Sequence, residues 1–293
     1  MKTYHLEFDA IGTKWIIDCD SQKSKDEVDM FFGKIKIRVG LFEETYSRFK
    51  EYSMVSEISK KTGVFPVTED AKQMLDLYFK LHKLTGGLFT PLMGKTLEDA
   101  GYDAEYSLVS KNSFSKVPDL DKVIKYKYPT LEVLKPVKLD FGACGKGQII
   151  DIVGKMLEDF GASSFCVDAG GDILYKSKLN KPLRVGLEDP NNFDQAIGIV
   201  EITSGSICGS SGNRRKWGKY NHIINPKTFE SPRDILSTWV VAKETAEADA
   251  LSTCLFFVEA ETLKNDFKFE YLKLFSDFSI EKSNNFPAEL FGV

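Results

Sequence analysis

Between residues 183 and 243 the chain sets out one strand-like segment after another, with no helical pattern between them. The segments fall at about 183–188, 196–203, 206–210, 221–224 and 236–243. This run is incompatible with the strict strand–helix alternation of a doubly wound sheet. The expected class is therefore α+β, with mixed or antiparallel sheets and packed helices. Residues 6–17 alternate as two strands around Gly12-Thr13. From 26 to 49, apolar residues at 28, 31, 32, 35, 39, 42, 46 and 49 follow helical spacing. A second helix is predicted at 69–84, stopped by Gly86-Gly87.

Residues 88–136 read as loops and short elements. A strand is expected at 137–141 and a helix at 149–160, ended by Gly161. The next strand, 164–169, runs into Gly170-Gly171. Residues 245–258 read as a helix, and 271–275 with 279–282 as a terminal hairpin. No repeat, low-complexity tract or Gly/Ser linker divides the 293 residues, so one domain spanning 1–293 is expected.

Composition excludes several functions. With 42% hydrophobic and 28% charged residues the chain is an ordinary globular one. A net charge of -4 gives no global field for nucleic acid. The local run Arg214-Arg215-Lys216 reads either as a solvated turn or as an anion site. Five widely spaced cysteines, at 19, 144, 166, 208 and 254, form no Cys-x-x-Cys pair, so neither a disulfide framework nor a zinc ribbon is expected. No apolar run is long enough to span a membrane. Residues 1–9 lack a signal-like apolar core, and the expected location is the cytoplasm, or outside it for a form whose export signal has been removed.

Chemistry concentrates in four short stretches. In Leu139-Asp-Phe-Gly-Ala-Cys-Gly-Lys-Gly147, Asp140 and Gly147 stand where a Walker A loop needs glycine and Ser/Thr, and the dinucleotide glycine pattern also fails. What remains is a strand, glycines around Lys146, and a helix start, suited to an anion or simply to a turn carrying an exposed lysine. Ala169-Gly-Gly-Asp172 puts a carboxylate beside two glycines at a strand end, as a ligand site or a tight turn does. Asp249 and Thr253 are spaced i, i+4, so carboxylate and hydroxyl share a helix face among alanines. Both are hard oxygen donors of the kind Mg²⁺ takes; the alternative is a hydrogen-bonded structural acid. His222, before Ile223-Ile224-Asn225-Pro226, is a candidate base, an orienting group or a structural histidine.

Taken in order, these segments resemble the ApbE-type flavin transferases, the FAD:protein FMN transferases. The resemblance runs from Gly12-Thr13 through Ser53–Ser59, Gly87-Leu-Phe-Thr-Pro91, Asp140–Gly147, Gly170-Gly171-Asp172, Ser210-Ser211-Gly212, His222–Pro226 and Ala248–Thr253. It departs at Thr62, Thr90, Gly145, Asn225 and Phe229, and in the Arg/Trp continuation after Gly212. It implies two intergrown lobes around a flavin cleft, one of them T-fold-like. It further implies FAD as substrate and Mg²⁺-dependent transfer of FMN to a Thr or Ser hydroxyl of an acceptor protein, with AMP released. Carried over by residue, the Asp249 and Thr253 side chains and the Ala143 carbonyl hold the metal. Lys146 faces the diphosphate, and His222 lies near the flavin phosphate. Catalysis would fall to His222, Asp249 and Lys146. Contacts to FAD would come from Gly12, Thr13, Asp140, Gly142, Lys146, Gly170, Gly171, Asp172, Ser211, Gly212 and His222. Two other outcomes fit the same residues: hydrolysis of FAD to FMN and AMP, and FAD binding without turnover.

Overall fold

The computed structural model describes residues 1–111 and 113–291. Its centre is an eight-stranded sheet whose spatial order equals its chain order. The strands are Lys2–Ala10 (β1), Thr13–Ser21 (β2), Ser164–Ala169 (β3), Asp172–Ser177 (β4), Ser204–Ser211 (β5), Ile235–Ala242 (β6), Phe269–Phe275 (β7) and Ile280–Lys282 (β8). Every neighbouring pair in this sheet is antiparallel. The class is the α+β one expected. Strand 137–141 is a correction. Those residues join no ladder; Asp140 N–H donates to the Pro91 carbonyl, and the chain lies against Gly94, where a Cβ would come within 2.7 Å of the Lys138 carbonyl oxygen. A second correction is 221–224, of which only Asn221 pairs, in a two-residue strand Tyr220–Asn221 opposite Lys216–Trp217.

Four long helices cover the sheet: Lys25–Tyr46 (α1), Glu69–Leu84 (α2), Gly145–Phe160 (α3) and Thr245–Cys254 (α4). Helix α1 opens with a full capping box between Ser24 and Glu27. It buries Val28, Phe31, Phe32, Ile35, Val39, Phe42 and Tyr46, the predicted stripe, in the main core. Helix α2 is capped by Thr68, whose hydroxyl accepts from Ala71 N–H. On the other sheet face, Ile173, Ile207, Trp239 and Leu272 pack with Leu187, Val200 and Ile202 in a second core. The last three lie on Leu183–Asp189 and Asn192–Ile202, which with Ala288–Leu290 form a three-stranded sheet.

Helix α3 begins four residues before its predicted start, at the glycines, and its N-terminus crosses that of α4. A Cβ on Gly147 would meet the Thr245 carbonyl at 2.4 Å, so only glycine allows this approach. Helix α4 carries no side-chain cap of its own. Asp151 of α3 supplies it, accepting from Thr245 N–H at 2.8 Å and Ala246 N–H at 2.9 Å. The helix stops at Cys254, short of the predicted 258, and residues 255–257 continue as a turn. None of the helices described is long and apolar enough to cross a membrane.

Candidate active site

Two hairpin turns end at the same edge of the sheet. Ile11 and Gly12 (φ 54 and 66) turn β1 into β2, and Gly170 and Gly171 (φ 69 and 94) turn β3 into β4. Both pairs are left-handed at two central positions, as tight hairpins require. The turns touch: a Cβ on Gly170 would lie 2.2 Å from the Thr13 hydroxyl oxygen. Beside them, the N-terminus of α3, the Asp249–Thr253 face of α4 and the end of β5 enclose a cleft of about 400 Å³.

Of the residues singled out from the sequence, Gly12, Asp140, Gly142, Ala143, Lys146, Gly170, Asp172, Ser211, His222, Asp249 and Thr253 line this cleft. Thr13, Gly171 and Gly212 do not. Thr13 packs behind Gly170, Gly171 N–H donates to Asp168, and the Asn221 side chain lies against Gly212. Residues 53–62 also lie outside the lining, so the Thr62 departure does not alter the cleft wall.

At the centre, Lys146 Nζ is held between two buried carboxylates, in close contact with Asp172 Oδ2 and 3.3 Å from Asp249 Oδ1. Asp249 Oδ2 accepts from Gly147 N–H at 3.0 Å. Burial works to lower the pKa of the ammonium, but the charges of Asp172 and Asp249 outweigh it and raise it. Asp249 is pushed up to about 6, by burial first; the Asp172 charge adds to this, while Lys146 and the Gly147 N–H oppose it. Two carboxylates share one ammonium, so the corner is short of positive charge.

One turn along α4, Thr253 Oγ1 lies 3.4 Å from Ser210 Oγ. Among the described residues no group of three or more His, Cys, Asp or Glu side chains converges to hold a metal unaided. Mg²⁺ needs no such cage: one or two carboxylates suffice when substrate phosphates and water complete its shell. The donor set here, the Asp249 carboxylate with the Thr253 hydroxyl in a cleft wall that Ala143 also lines, together with the charge deficit, fits that ion.

Asp140 has a structural part. Its Oδ2 accepts from Arg48 Nε at 2.6 Å and its Oδ1 from Gly142 N–H at 2.8 Å, which shapes the glycine turn. Arg48 also donates to the Tyr102 carbonyl at 2.7 Å and stacks on Phe49, its guanidinium carbon 4.1 Å from the ring centre. Its Nη1 is buried with no partner, and so is His222 Nδ1. Both side chains line the cleft, and such orphaned atoms in a cleft wall suit a polar ligand. Burial, with the positive charges of Arg215 and Lys146, lowers the His222 pKa to about 3. The imidazole is neutral at neutral pH.

Sequence reasoning missed Arg48, Tyr102 and Ser210 as cleft residues, and left Arg214 and Arg215 undecided. Arg214 pairs with Glu188, and Arg215 Nη1 donates to the Tyr102 hydroxyl at 3.2 Å; both also line the cleft. No local signal marks Arg48 or Tyr102, because their partners are 92 and 113 residues away. Two departures keep their local geometry. Thr90 Oγ1 accepts from Leu92 N–H at 3.3 Å, and Asn225 Oδ1 from Lys227 N–H at 2.9 Å, as aspartate would in either place.

The fold is that of solved ApbE structures. The ApbE protein from Thermotoga maritima matches with a TM-score of 0.85 at 24% identity, covering 98% of this chain and 100% of the other. The flavin transferase ApbE from Vibrio cholerae matches at 0.81 and 20% identity, covering 97% and 98%. The ApbE family model spans residues 11–269, and the chain belongs to that family. The FAD:protein FMN transferase of Haemophilus influenzae is 24% identical over 273 residues, covering 87% of this chain and 77% of the relative.

Proposed function

We propose that this chain is an FAD:protein FMN transferase that moves FMN from FAD to a Thr or Ser hydroxyl of an acceptor protein and releases AMP. The observation that carries this reading is Lys146 held between Asp172 and Asp249 at the crossing of two helix N-termini. The corner carries a net negative charge, which a divalent cation bound there would neutralise, so that a linked pair of phosphates could lie beside it.

The acceptor hydroxyl oxygen forms a bond to the phosphorus that carries the riboflavin part. The bond from that phosphorus to the bridging oxygen breaks, and the oxygen leaves with AMP. Lys146 balances charge on the diphosphate, and the backbone of the glycine turn lets it approach closely. The hydroxyl proton goes to His222, whose Nδ1 has no partner, whereas both Asp249 oxygens are engaged. A histidine titrating near 3 is a weak base in the free protein. A bound dianion offsets the charges of Arg215 and Lys146 that hold it there. Asp249, Thr253 and the Ala143 carbonyl would hold Mg²⁺, which when bound supplies Lewis-acid charge to the phosphate oxygens.

The test is incubation with FAD, Mg²⁺ and candidate acceptor proteins, read by mass spectrometry. The expected result is an acceptor carrying FMN on Thr or Ser, with equimolar AMP. FMN released to water at the same rate with and without acceptor would make the protein a hydrolase. FAD retained unchanged would make it a binding protein.

A further inference from the structure

Arg48 lines the cleft with a donor to spare. Its side chain is 2% exposed, and two of its three nitrogens are committed: Nε donates to Asp140 Oδ2 at 2.6 Å and Nη2 to the Tyr102 carbonyl at 2.7 Å. Nη1 carries two further N–H groups and has no partner. A guanidinium cannot shed its proton to relieve this, and a buried donor without an acceptor is costly. A ligand that fills the cleft can supply the acceptor.

The surroundings narrow what that acceptor is. The guanidinium carbon lies 4.1 Å from the Phe49 ring centre and 5.0 Å from that of Tyr102, so two rings hold the fork in place. Tyr106 continues this wall, stacked on Phe49 with ring centres 5.6 Å apart, and about half of it is exposed. An aromatic wall of this kind suits a planar heterocycle. A phosphate fits less well, because the Asp140 carboxylate already neutralises Arg48 and leaves a hydrogen-bond donor, not a free cation. FAD carries two heterocycles. Adenine offers ring nitrogens beside an amino group that is itself a donor. The isoalloxazine ring carries two carbonyl oxygens, which only accept, with in-plane lone pairs that a fixed N–H fork can meet.

We propose that Arg48 Nη1 donates to a carbonyl oxygen of the isoalloxazine ring, so that Arg48, Phe49 and Tyr102 select the flavin end of FAD. The proposal rests on the transferase reading. It gives Arg48 a task separate from that of the Lys146 corner.

The experiment titrates the parent and Arg48→Lys, with Mg²⁺ present, against FMN, ADP and two FMN analogues carrying sulfur in place of the C2 or the C4 carbonyl oxygen. Lysine keeps a positive charge beside Asp140 but has no second arm. Arg48→Lys should weaken FMN about tenfold, as loss of one hydrogen bond from a charged donor does, and leave ADP within about twofold. Sulfur is a poor acceptor, so one of the two analogues should bind the parent about tenfold more weakly than FMN, and Arg48→Lys should bind that analogue and FMN alike. The analogue series needs only the parent, and it decides the matter if Arg48→Lys does not fold. Equal affinity of the parent for FMN and both analogues would overturn the contact. An equal loss of FMN and ADP in Arg48→Lys would also overturn it, assigning Arg48 to the phosphate region. Either result leaves the transferase reading intact. A parent that binds neither FMN nor ADP would sink that reading and this contact with it.

Discussion

At the scale of single residues the site is an electrostatic balance, and each member can be removed separately. Asp249→Ala takes away a carboxylate that engages both Lys146 and Gly147 N–H. The expected outcome is loss of Mg²⁺-dependent AMP release with FAD still measurable by fluorescence; unchanged turnover would remove Asp249 from the machinery. His222 gives a pH signature. Its folded pKa, about 3, lies below the usual histidine value, so the unfolded chain binds a proton that the folded one refuses. Stability from this group is complete above the unfolded pKa and is lost as pH falls from about 6.5 towards 3. Between pH 7 and 5 the loss is about 2 kcal/mol. Asp249 and Asp151, both raised to about 6, stabilise the fold over the same interval, so the measurement is the difference in urea-unfolding stability between parent and His222→Asn, which should shift by that amount between the two pH values. The residues that sequence spacing identified, Asp249 with Thr253 and Lys146 among glycines, are local patterns, readable because helix and turn geometry act within a few positions. Arg48 and Tyr102 were not readable, because their roles depend on contacts that the chain makes only after closing on itself.

At the scale of elements, the crossing of α3 and α4 is the device that builds the cleft. Gly147 lets the helices touch, and Asp151 ties the N-terminus of α4 to the body of α3. Gly147→Ala forces the two apart. The cost should be about 1–3 kcal/mol of stability from overpacking, with a larger loss of transfer because Lys146 and Asp249 separate. Comparing urea midpoints with single-turnover rates distinguishes the two effects. Asp151→Ala removes the cap and should cost about 1–2 kcal/mol. The predicted start of α3 came late because glycines carry low helix propensity, and here they serve a close approach that sequence alone does not display. The strand expected at 137–141 has strand-like residues, but a strand needs a partner strand, and the backbone it bonds, at Pro91, belongs to a helical turn.

At the scale of the whole molecule, ligand binding should report on the assembled cleft, since its wall draws residues from position 11 to position 257. FAD with Mg²⁺ at about a hundred times its dissociation constant should stabilise the fold by roughly 2.7 kcal/mol. A thermal-shift assay should show that gain reduced by a chelator and in Asp249→Ala. An unchanged melting temperature in the parent would argue against the cleft as the FAD site. The sequence by itself determined the α+β class, the amphipathic faces and the local donor pairs, because periodicity and turn chemistry act over a few residues. Only the tertiary structure decided that two glycine turns share one sheet edge, that Lys146 lies between Asp172 and Asp249, and that Arg48 and His222 each present an unpartnered nitrogen. Those facts depend on strand register and helix crossing, and both are settled by packing among residues distant in the chain.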